Sequence, residues 1–153
     1  MTSDRHSTSV LERNRATVLA FLDGTHGGRP EVVDETVAEG ILTHGFPAGR
    51  NPRSRAEYKQ FFREFGAAFT GMSYRTEEVV AEGDRVAVRF AVEVDHTGPY
   101  AGIAPTGRRV GFTGMVLYRL EDGLIAETWL QLDALALLGG IGALQPGPAV
   151  LAA

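Results

Sequence analysis

Apolar and polar residues alternate at every second position through much of the second half of the chain. Val86, Val88, Phe90, Val92 and Val94 follow this spacing, which is typical of a strand with one buried face. Similar patterns predict strands over 74–81, 110–120 and 124–133. The last two flank Asp122-Gly123, and an Asp-Gly pair between such runs indicates a tight hairpin. The pattern therefore predicts an antiparallel sheet.

The first half of the chain has the spacing of helices instead. A capping-box pattern begins a helix predicted over 9–23, and Pro30 begins a shorter one that ends near residue 40. Ser54 begins a third helix, and residues 135–138 are predicted to form a final helical turn. One face of the third helix is aromatic: Tyr58, Phe61, Phe62, Phe65 and Phe69. This stripe is typical of packing on a sheet, and it could also roof a pocket.

Helices followed by long antiparallel strands indicate an α+β fold, with the helices packed on one face of a curved sheet. The length of 153 residues suits one domain. We predict that the domain spans residues 10–138. A flexible N-terminal segment, 1–9, precedes it, and a Gly- and Pro-rich tail, 139–153, follows.

The hairpin also predicts which side chains share a face of the sheet. With a two-residue loop, Tyr118 pairs with Glu127 and Val116 pairs with Trp129, and cross-strand partners lie on the same face. The pocket face would then carry Phe112, Val116, Tyr118, Glu127, Trp129, Gln131 and Asp133. The opposite face would carry Met115, Leu117, Leu130 and Leu132. A slip of one residue would reverse these assignments.

Composition excludes several classes of function. The net charge of −4 and the absence of a basic tail argue against a nucleic-acid partner. Zero cysteines exclude disulfides and thiolate chemistry. No apolar run is long enough for a membrane span, and the polar N-terminus has no signal-peptide core, so we expect a cytoplasmic protein. The histidines lack metal-ligand spacing, and we expect neither a metal nor a cofactor.

Several segments together resemble the SnoaL-like polyketide cyclases of the nuclear transport factor two superfamily. They are residues 79–89 (VVAEGDRVAVR), 96–98 (HTG), 105–108 (PTGR), 118–123 (YRLEDG) and 125–133 (IAETWLQLD). The resemblance implies a cone-shaped α+β barrel whose curved sheet and N-terminal helices enclose a hydrophobic pocket. It also implies a homodimer through the convex face of the sheet, which the predicted apolar face of Met115, Leu117, Leu130 and Leu132 fits.

The resemblance also implies catalytic residues. In the polyketide cyclases, an aspartate four residues after a tryptophan is the general acid/base, and Asp133 follows Trp129 at this distance. The alternative for Asp133 is a cap on the turn into Leu135. His44 lies where many family members have a pocket histidine. The expected substrate-binding residues are Trp129, Gln131, Phe112, Tyr118, Phe46 and Phe62.

The expected function is that of a cofactor-independent acid/base enzyme that acts on an apolar cyclic substrate. Aldol-type ring closure or tailoring of an aromatic polyketide in secondary metabolism is the leading hypothesis. The cyclases that this chain resembles have a second pocket histidine on the strand before the hairpin. This chain departs from them, because it has no histidine after His96. An isomerase, an epoxide hydrolase that uses Asp133 and Arg89, and a non-catalytic ligand-binding or dimerisation module are the alternatives.

Overall fold

In a computed structural model, which describes residues 2–144, the helices precede most of the sheet. The helices are α1 (Thr2–His26), α2 (Val33–Thr36), α3 (Arg55–Ala68) and α4 (Ala134–Gly140), with 3₁₀ turns at Pro30–Val32 and Pro47–Gly49. The strands are β1 (Val37–His44), β2 (Phe69–Glu82), β3 (Arg85–His96), β4 (Arg109–Glu121) and β5 (Leu124–Leu132). Among the described residues, no helix is long and apolar enough to cross a membrane.

The strands form one five-stranded sheet in the order β1-β5-β4-β3-β2. The predicted α+β class is confirmed, but the sheet is mixed, because β1 runs parallel to β5. The predicted second helix is wrong beyond Thr36: β1 begins at Val37, and Val37 and Ile41 are fully buried. Tertiary burial of these side chains in an edge strand outweighs their helical spacing.

Helix α1 is longer than its sequence pattern predicted. It begins at Thr2 rather than Ser9, and it continues past Asp23 to His26. Gly24 packs closely against the neighbouring 3₁₀ turn, since a Cβ atom there would lie 2.6 Å from Val32 Cγ1. Gly24 therefore supports helix packing and does not end the helix.

The N-cap predicted at Ser54 is confirmed, but the reciprocal bond of the capping box goes to the residue before it. The Ser54 hydroxyl accepts a hydrogen bond from the Glu57 amide at 3.2 Å, and Glu57 Oε2 accepts one from the Arg53 amide at 2.7 Å. The first bond satisfies a donor that the first helical turn leaves free, and the second holds the chain segment that leads into the helix. They fix the start of α3, and with it the direction of its aromatic face.

The predicted register of β4 and β5 is wrong beyond the turn. Asp122 and Gly123 have positive φ angles of 51° and 79°, as a two-residue hairpin turn requires. Leu120 pairs with Ile125 as predicted, but Arg119 then pairs with Glu127. Ala126 is the extra residue of a β-bulge, which moves every later side chain of β5 to the opposite face.

The domain boundaries predicted from the sequence stay predictions. Most of the predicted N-terminal segment 1–9 falls within α1, and Gly139 and Gly140 of the predicted tail belong to α4. Residues 145–153 lie outside the described part of the chain.

A candidate ligand cavity on the inner face of the sheet

A cavity of about 550 Å³ lies between the inner face of the sheet and the helices α1 and α3. This volume is within the range of small-molecule sites, roughly 300–1,000 Å³. The helices contribute aromatic wall residues, among them Phe21, Tyr58, Phe61, Phe62 and Phe65. The sheet contributes Phe90, Val92, Phe112, Val116, Tyr118, Leu130 and Leu132. The cavity therefore suits a bulky, largely apolar ligand.

The aromatic stripe of α3 forms the roof of the cavity. Its rings pack in series: Tyr58 and Phe62 stack with centroids 5.3 Å apart, and Phe61 meets Phe62 edge-on at 5.3 Å. Phe21 of α1 contacts the Tyr58 ring at 5.4 Å. Contacts of this kind stabilise aromatic clusters beyond area burial alone, so the wall is formed before a ligand arrives.

Two tyrosine hydroxyl groups belong to residues of the cavity wall. Tyr58 and Tyr118 are 2% exposed each. Burial raises the pKa of both phenols well above the ordinary value of about 10. Both hydroxyls are therefore protonated at neutral pH and can donate hydrogen bonds to a ligand.

His26 brings an imidazole to the cavity from the last turn of α1. Its Nδ1 lies 2.9 Å from the Leu22 carbonyl oxygen and 3.3 Å from Thr25 Oγ1. The ring stacks on Tyr74 with centroids 3.8 Å apart. Burial lowers the pKa of His26 from 6.5 to about 4, although the Leu22 hydrogen bond opposes this shift. The imidazole is therefore neutral at neutral pH.

A charged pair marks one edge of the cavity. Glu31 and Arg63 both line it, and Arg63 Nη2 lies 3.4 Å from Glu31 Oε1. The two side chains are 69% and 50% exposed. Because water screens such a pair, its energetic contribution is small, and this edge is more polar than the interior.

Four of the predicted substrate-binding residues line the cavity: Phe46, Phe62, Phe112 and Tyr118. Trp129 and Gln131 were predicted to share that face, and this placement is wrong. The bulge at Ala126 pairs Trp129 with Leu117 and Gln131 with Met115, on the outer face. Leu130 and Leu132, predicted for the outer face, line the cavity instead.

The structure places the two predicted catalytic residues outside the cavity wall and apart from each other. Asp133 is exposed, and its carboxylate accepts a hydrogen bond from the Ala136 amide at 3.0 Å as the N-cap of α4. His44 lies on the outer face of the sheet, where it stacks with Trp129 at 5.4 Å and bonds to Glu127. Their catalytic roles stay predictions.

Sequence reasoning missed His26. A signal was present, because Val18, Leu22 and His26 follow one another at intervals of four residues, the spacing of one helix face. The helix predicted from the sequence ends at residue 23 because Gly24 is typical of a helix end, and the prediction therefore leaves out the turn that carries His26. Among the side chains that the structure describes, those of residues 7–144, no three His, Asp or Glu groups are arranged as a metal site would require.

Comparisons with known proteins identify similar sequences and folds. The profile of the SnoaL-like polyketide cyclases matches residues 15–140. No curated protein sequence matches the chain significantly. TsrD from Streptomyces laurentii is 26% identical over 87% of this chain and 97% of its own, with a TM-score of 0.78.

Two further solved structures are similar to this chain. A protein from Jannaschia sp. assigned to the SnoaL-like polyketide cyclases is 27% identical, over 89% of this chain and 96% of its own, with a TM-score of 0.80. IdmH from Streptomyces antibioticus is 26% identical, over 84% of this chain and 98% of its own, with a TM-score of 0.72.

Proposed function

This chain belongs to the SnoaL-like polyketide cyclase family, and on that premise we propose that it binds an apolar cyclic substrate in the inner cavity and catalyses a cofactor-independent acid/base reaction on it. Ring closure or tailoring of an aromatic polyketide is the proposed reaction class. The observation that carries the proposal is the aromatic-lined cavity of about 550 Å³ on the concave side of the sheet.

The shape and chemistry of the cavity support a flat, ring-containing substrate. Phe62 and Phe112 offer ring faces and edges against which another aromatic system can pack. The protonated hydroxyls of Tyr58 and Tyr118 can donate hydrogen bonds to a ligand carbonyl. Polarisation of a carbonyl lowers the barrier to removal of a proton from the adjacent carbon, which an aldol-type reaction requires.

The proposed acid/base roles of Asp133 and His44 rest on the family resemblance alone, and His44 could act only on a substrate that reached the outer face of the sheet, opposite the cavity. Asp133 lies directly after β5, the strand that contributes Leu130 and Leu132 to the cavity. A catalytic role would require the substrate or the start of α4 to extend to this carboxylate.

Turnover by the wild-type protein tests the proposal. The substrates are a small panel of polyketide esters, a 3-ketosteroid and a cyclic epoxide, with products identified by mass spectrometry. Two variants of one strand provide the comparison: Val116→Phe fills the cavity, and Thr113→Phe adds the same ring to the exposed outer face. We expect the Val116 variant to lose turnover and the Thr113 variant to keep it.

Two results would contradict the proposal. One is turnover that survives Val116→Phe in a folded protein, because the reaction would then take place outside the cavity. The other is binding of panel compounds without conversion of any of them, which would favour a ligand-binding module. Circular dichroism of each variant checks that the added ring has not unfolded the sheet, since overpacking costs about 1–3 kcal/mol.

A homodimer through the outer face of the sheet is part of the proposal. Met115 and Leu42 on this face are 51% and 42% exposed, and Leu117 and Trp129 lie beside them. Charged side chains surround these apolar ones on the outer face, but large exposed apolar side chains favour coverage by a partner, and the family resemblance implies a second copy. Leu130 and Leu132 are excluded from the proposed interface because they line the cavity.

Light scattering after gel filtration measures the molar mass of the protein in solution, and so distinguishes a dimer from a monomer. We expect the wild type to be a dimer and Met115→Glu to be a monomer, because a buried charge would oppose association. Leu135→Glu is the matched control, since Leu135 is 71% exposed on α4, away from the outer face. A monomeric wild type across a concentration series would contradict the dimer.

A further inference from the structure

We propose that His26 is a specificity-determining residue of the cavity, whose Nε2 accepts a hydrogen bond from a phenolic or enolic hydroxyl of a ring-shaped apolar ligand. This inference rests on the proposed function, because it assumes that the cavity is the substrate site. It predicts that the substrate carries a hydroxyl group, which the apolar walls cannot recognise. It also gives a role to an imidazole that the proposed acid/base pair leaves unused.

The hydrogen bonds of Nδ1 determine which ring nitrogen carries the proton. The Leu22 carbonyl oxygen, 2.9 Å from Nδ1, can only accept a hydrogen bond, so Nδ1 must be the donor. The Thr25 hydroxyl donates to the Phe21 carbonyl at 2.8 Å, which leaves its oxygen to face Nδ1 as an acceptor. In a neutral imidazole the second nitrogen, Nε2, then has a free lone pair.

Nε2 is available to a ligand. It makes no hydrogen bond to any described residue, and it is not among the buried polar atoms without a partner. Nδ1 holds one edge of the ring against the backbone of α1, so Nε2 lies on the edge away from that carbonyl. Because the His26 side chain lines the cavity, this edge is the one that a ligand can reach.

The imidazole stays neutral, and its orientation is fixed. Burial lowers its pKa to about 4, so Nε2 keeps its lone pair at neutral pH. The ring is stacked on Tyr74 at 3.8 Å with an interplanar angle of 18°, and Phe62 contacts it edge-on at 5.9 Å. An acceptor that is held in place before binding loses little entropy when a ligand arrives.

The other polar groups of the wall favour different ligand groups. The tyrosine hydroxyls of Tyr58 and Tyr118 are protonated and can donate to a carbonyl. Glu31 and Thr70 can accept a hydrogen bond, but both are exposed, and they are paired with Arg63 and Thr97. His26 is therefore the acceptor best placed to recognise a hydroxyl donor on a ligand that is otherwise surrounded by apolar rings.

Binding of two naphthalenes tests the inference. 2-Naphthol and 2-methylnaphthalene have similar size, but only the first carries a hydroxyl donor. The measured quantity is the ratio of their dissociation constants, determined by calorimetry for the wild type, His26→Phe and Tyr74→Phe. His26→Phe keeps an aromatic ring against Tyr74, and Tyr74→Phe keeps the stack while removing only the Tyr74 hydroxyl, because Tyr74 does not line the cavity.

We expect His26→Phe to shift the ratio by about tenfold against 2-naphthol, as loss of one hydrogen bond predicts, while it still binds 2-methylnaphthalene. Tyr74→Phe should keep the wild-type ratio. An unchanged ratio in a folded His26→Phe protein would overturn the inference and leave the proposed function intact. Failure of the wild type to bind either probe would contradict the cavity as a ligand site, and with it the inference.

Nitrogen NMR of the wild type keeps the inference testable if His26→Phe does not fold. We expect the free protein to carry its His26 proton on Nδ1, and the Nε2 resonance to shift on addition of 2-naphthol but not of 2-methylnaphthalene. A proton on Nε2 in the free protein, or equal shifts with both probes, would overturn the inference.

Discussion

His44 Nε2 lies 2.9 Å from Glu127 Oε1, on the outer face of the sheet. Glu127 also accepts a hydrogen bond from Arg119 Nε at 3.1 Å. The His44 hydrogen bond and the nearby Arg119 charge keep the pKa of the Glu127 carboxyl below its ordinary value. A histidine that donates to a carboxylate on this face is well placed to join β1 to β5, and the cavity lies on the other side of these strands.

His44→Gln should therefore act on stability more than on the cavity. The His44 side chain is 39% exposed, and ion pairs at exposed positions contribute about 0.2–1 kcal/mol. We expect urea titrations to show a decrease in the free energy of unfolding that lies within that range. The affinity for 2-naphthol should be unchanged. A tenfold loss of affinity in the folded variant would contradict the placement of His44 outside the cavity.

Adjacent residues of β5 test the bulge at Ala126. Leu130 lines the cavity, whereas Gln131 is exposed on the outer face. We expect Leu130→Phe to lower the affinity for 2-methylnaphthalene by fivefold or more, roughly 1 kcal/mol, because the larger ring occupies ligand space. Gln131→Phe adds the same ring to the opposite face and should leave the affinity unchanged, as measured by calorimetry.

The opposite pattern would restore the register predicted from the hairpin alone. If Gln131→Phe blocked binding and Leu130→Phe did not, then Gln131 would face the cavity, and β5 would have no bulge at Ala126. Amide hydrogen exchange and circular dichroism should be similar in both variants, which separates lost binding from lost structure.

The pKa of His26 predicts a pH-dependent stability. The folded pKa of about 4 lies below the ordinary value of 6.5, so the unfolded chain takes up a proton at a pH where the folded protein does not. The stability that the neutral His26 side chain contributes is complete above about pH 6.5 and is lost as the pH falls towards 4. At about 1.4 kcal/mol per pH unit, the loss reaches up to about 3 kcal/mol.

Urea titrations at about pH 7 and about pH 4 measure this effect in the wild type and in His26→Phe. We expect the wild type to lose more stability than the variant on acidification, because the variant has no imidazole to protonate. Parallel losses in the two proteins would show that groups other than His26 determine the acid sensitivity, and would contradict its lowered pKa.

Asp133 can be tested separately as a cap and as a catalyst. Its carboxylate caps α4 through the Ala136 amide, and removal of such a cap costs about 1 kcal/mol. We expect Asp133→Ala to lose this amount of unfolding free energy, and Asp133→Asn to keep most of it, because asparagine is also a good N-cap.

The Asn variant also isolates proton transfer. If Asp133 is the general acid/base of the proposed reaction, Asp133→Asn should lose about 100-fold or more in kcat at an unchanged Tm. Unchanged turnover of a reactive substrate by Asp133→Asn would leave Asp133 with the capping role alone.

The sequence predicted the parts of the fold in which local chemistry and tertiary packing agree. The N-cap at Ser54, the aromatic stripe of α3 and the positive φ angles of Asp122-Gly123 all act over a few residues, and all are present. The family resemblance then implied the cone shape of the barrel and its enclosed pocket. Neither property follows from residue spacing alone.

The errors in the predicted site have two physical causes. The bulge at Ala126 adds one residue within β5 and leaves no mark in the alternating pattern, so Trp129 and Gln131 were assigned to the wrong face. Gly24 permits close packing on Val32 inside a continuous helix, and its interpretation as a helix end concealed His26. Both features depend on tertiary contacts, and a periodic pattern does not report such contacts.

The proposal that the inner cavity binds the ligand is best tested by intermolecular NOEs between bound 2-naphthol and the protein methyl groups, because these locate the ligand without any substitution. We expect NOEs to the methyl groups of Val92, Val116, Leu130 and Leu132, which line the inner cavity. NOEs confined to Leu42, Met115 and Leu117 would place the ligand on the outer face of the sheet, and would contradict the proposal.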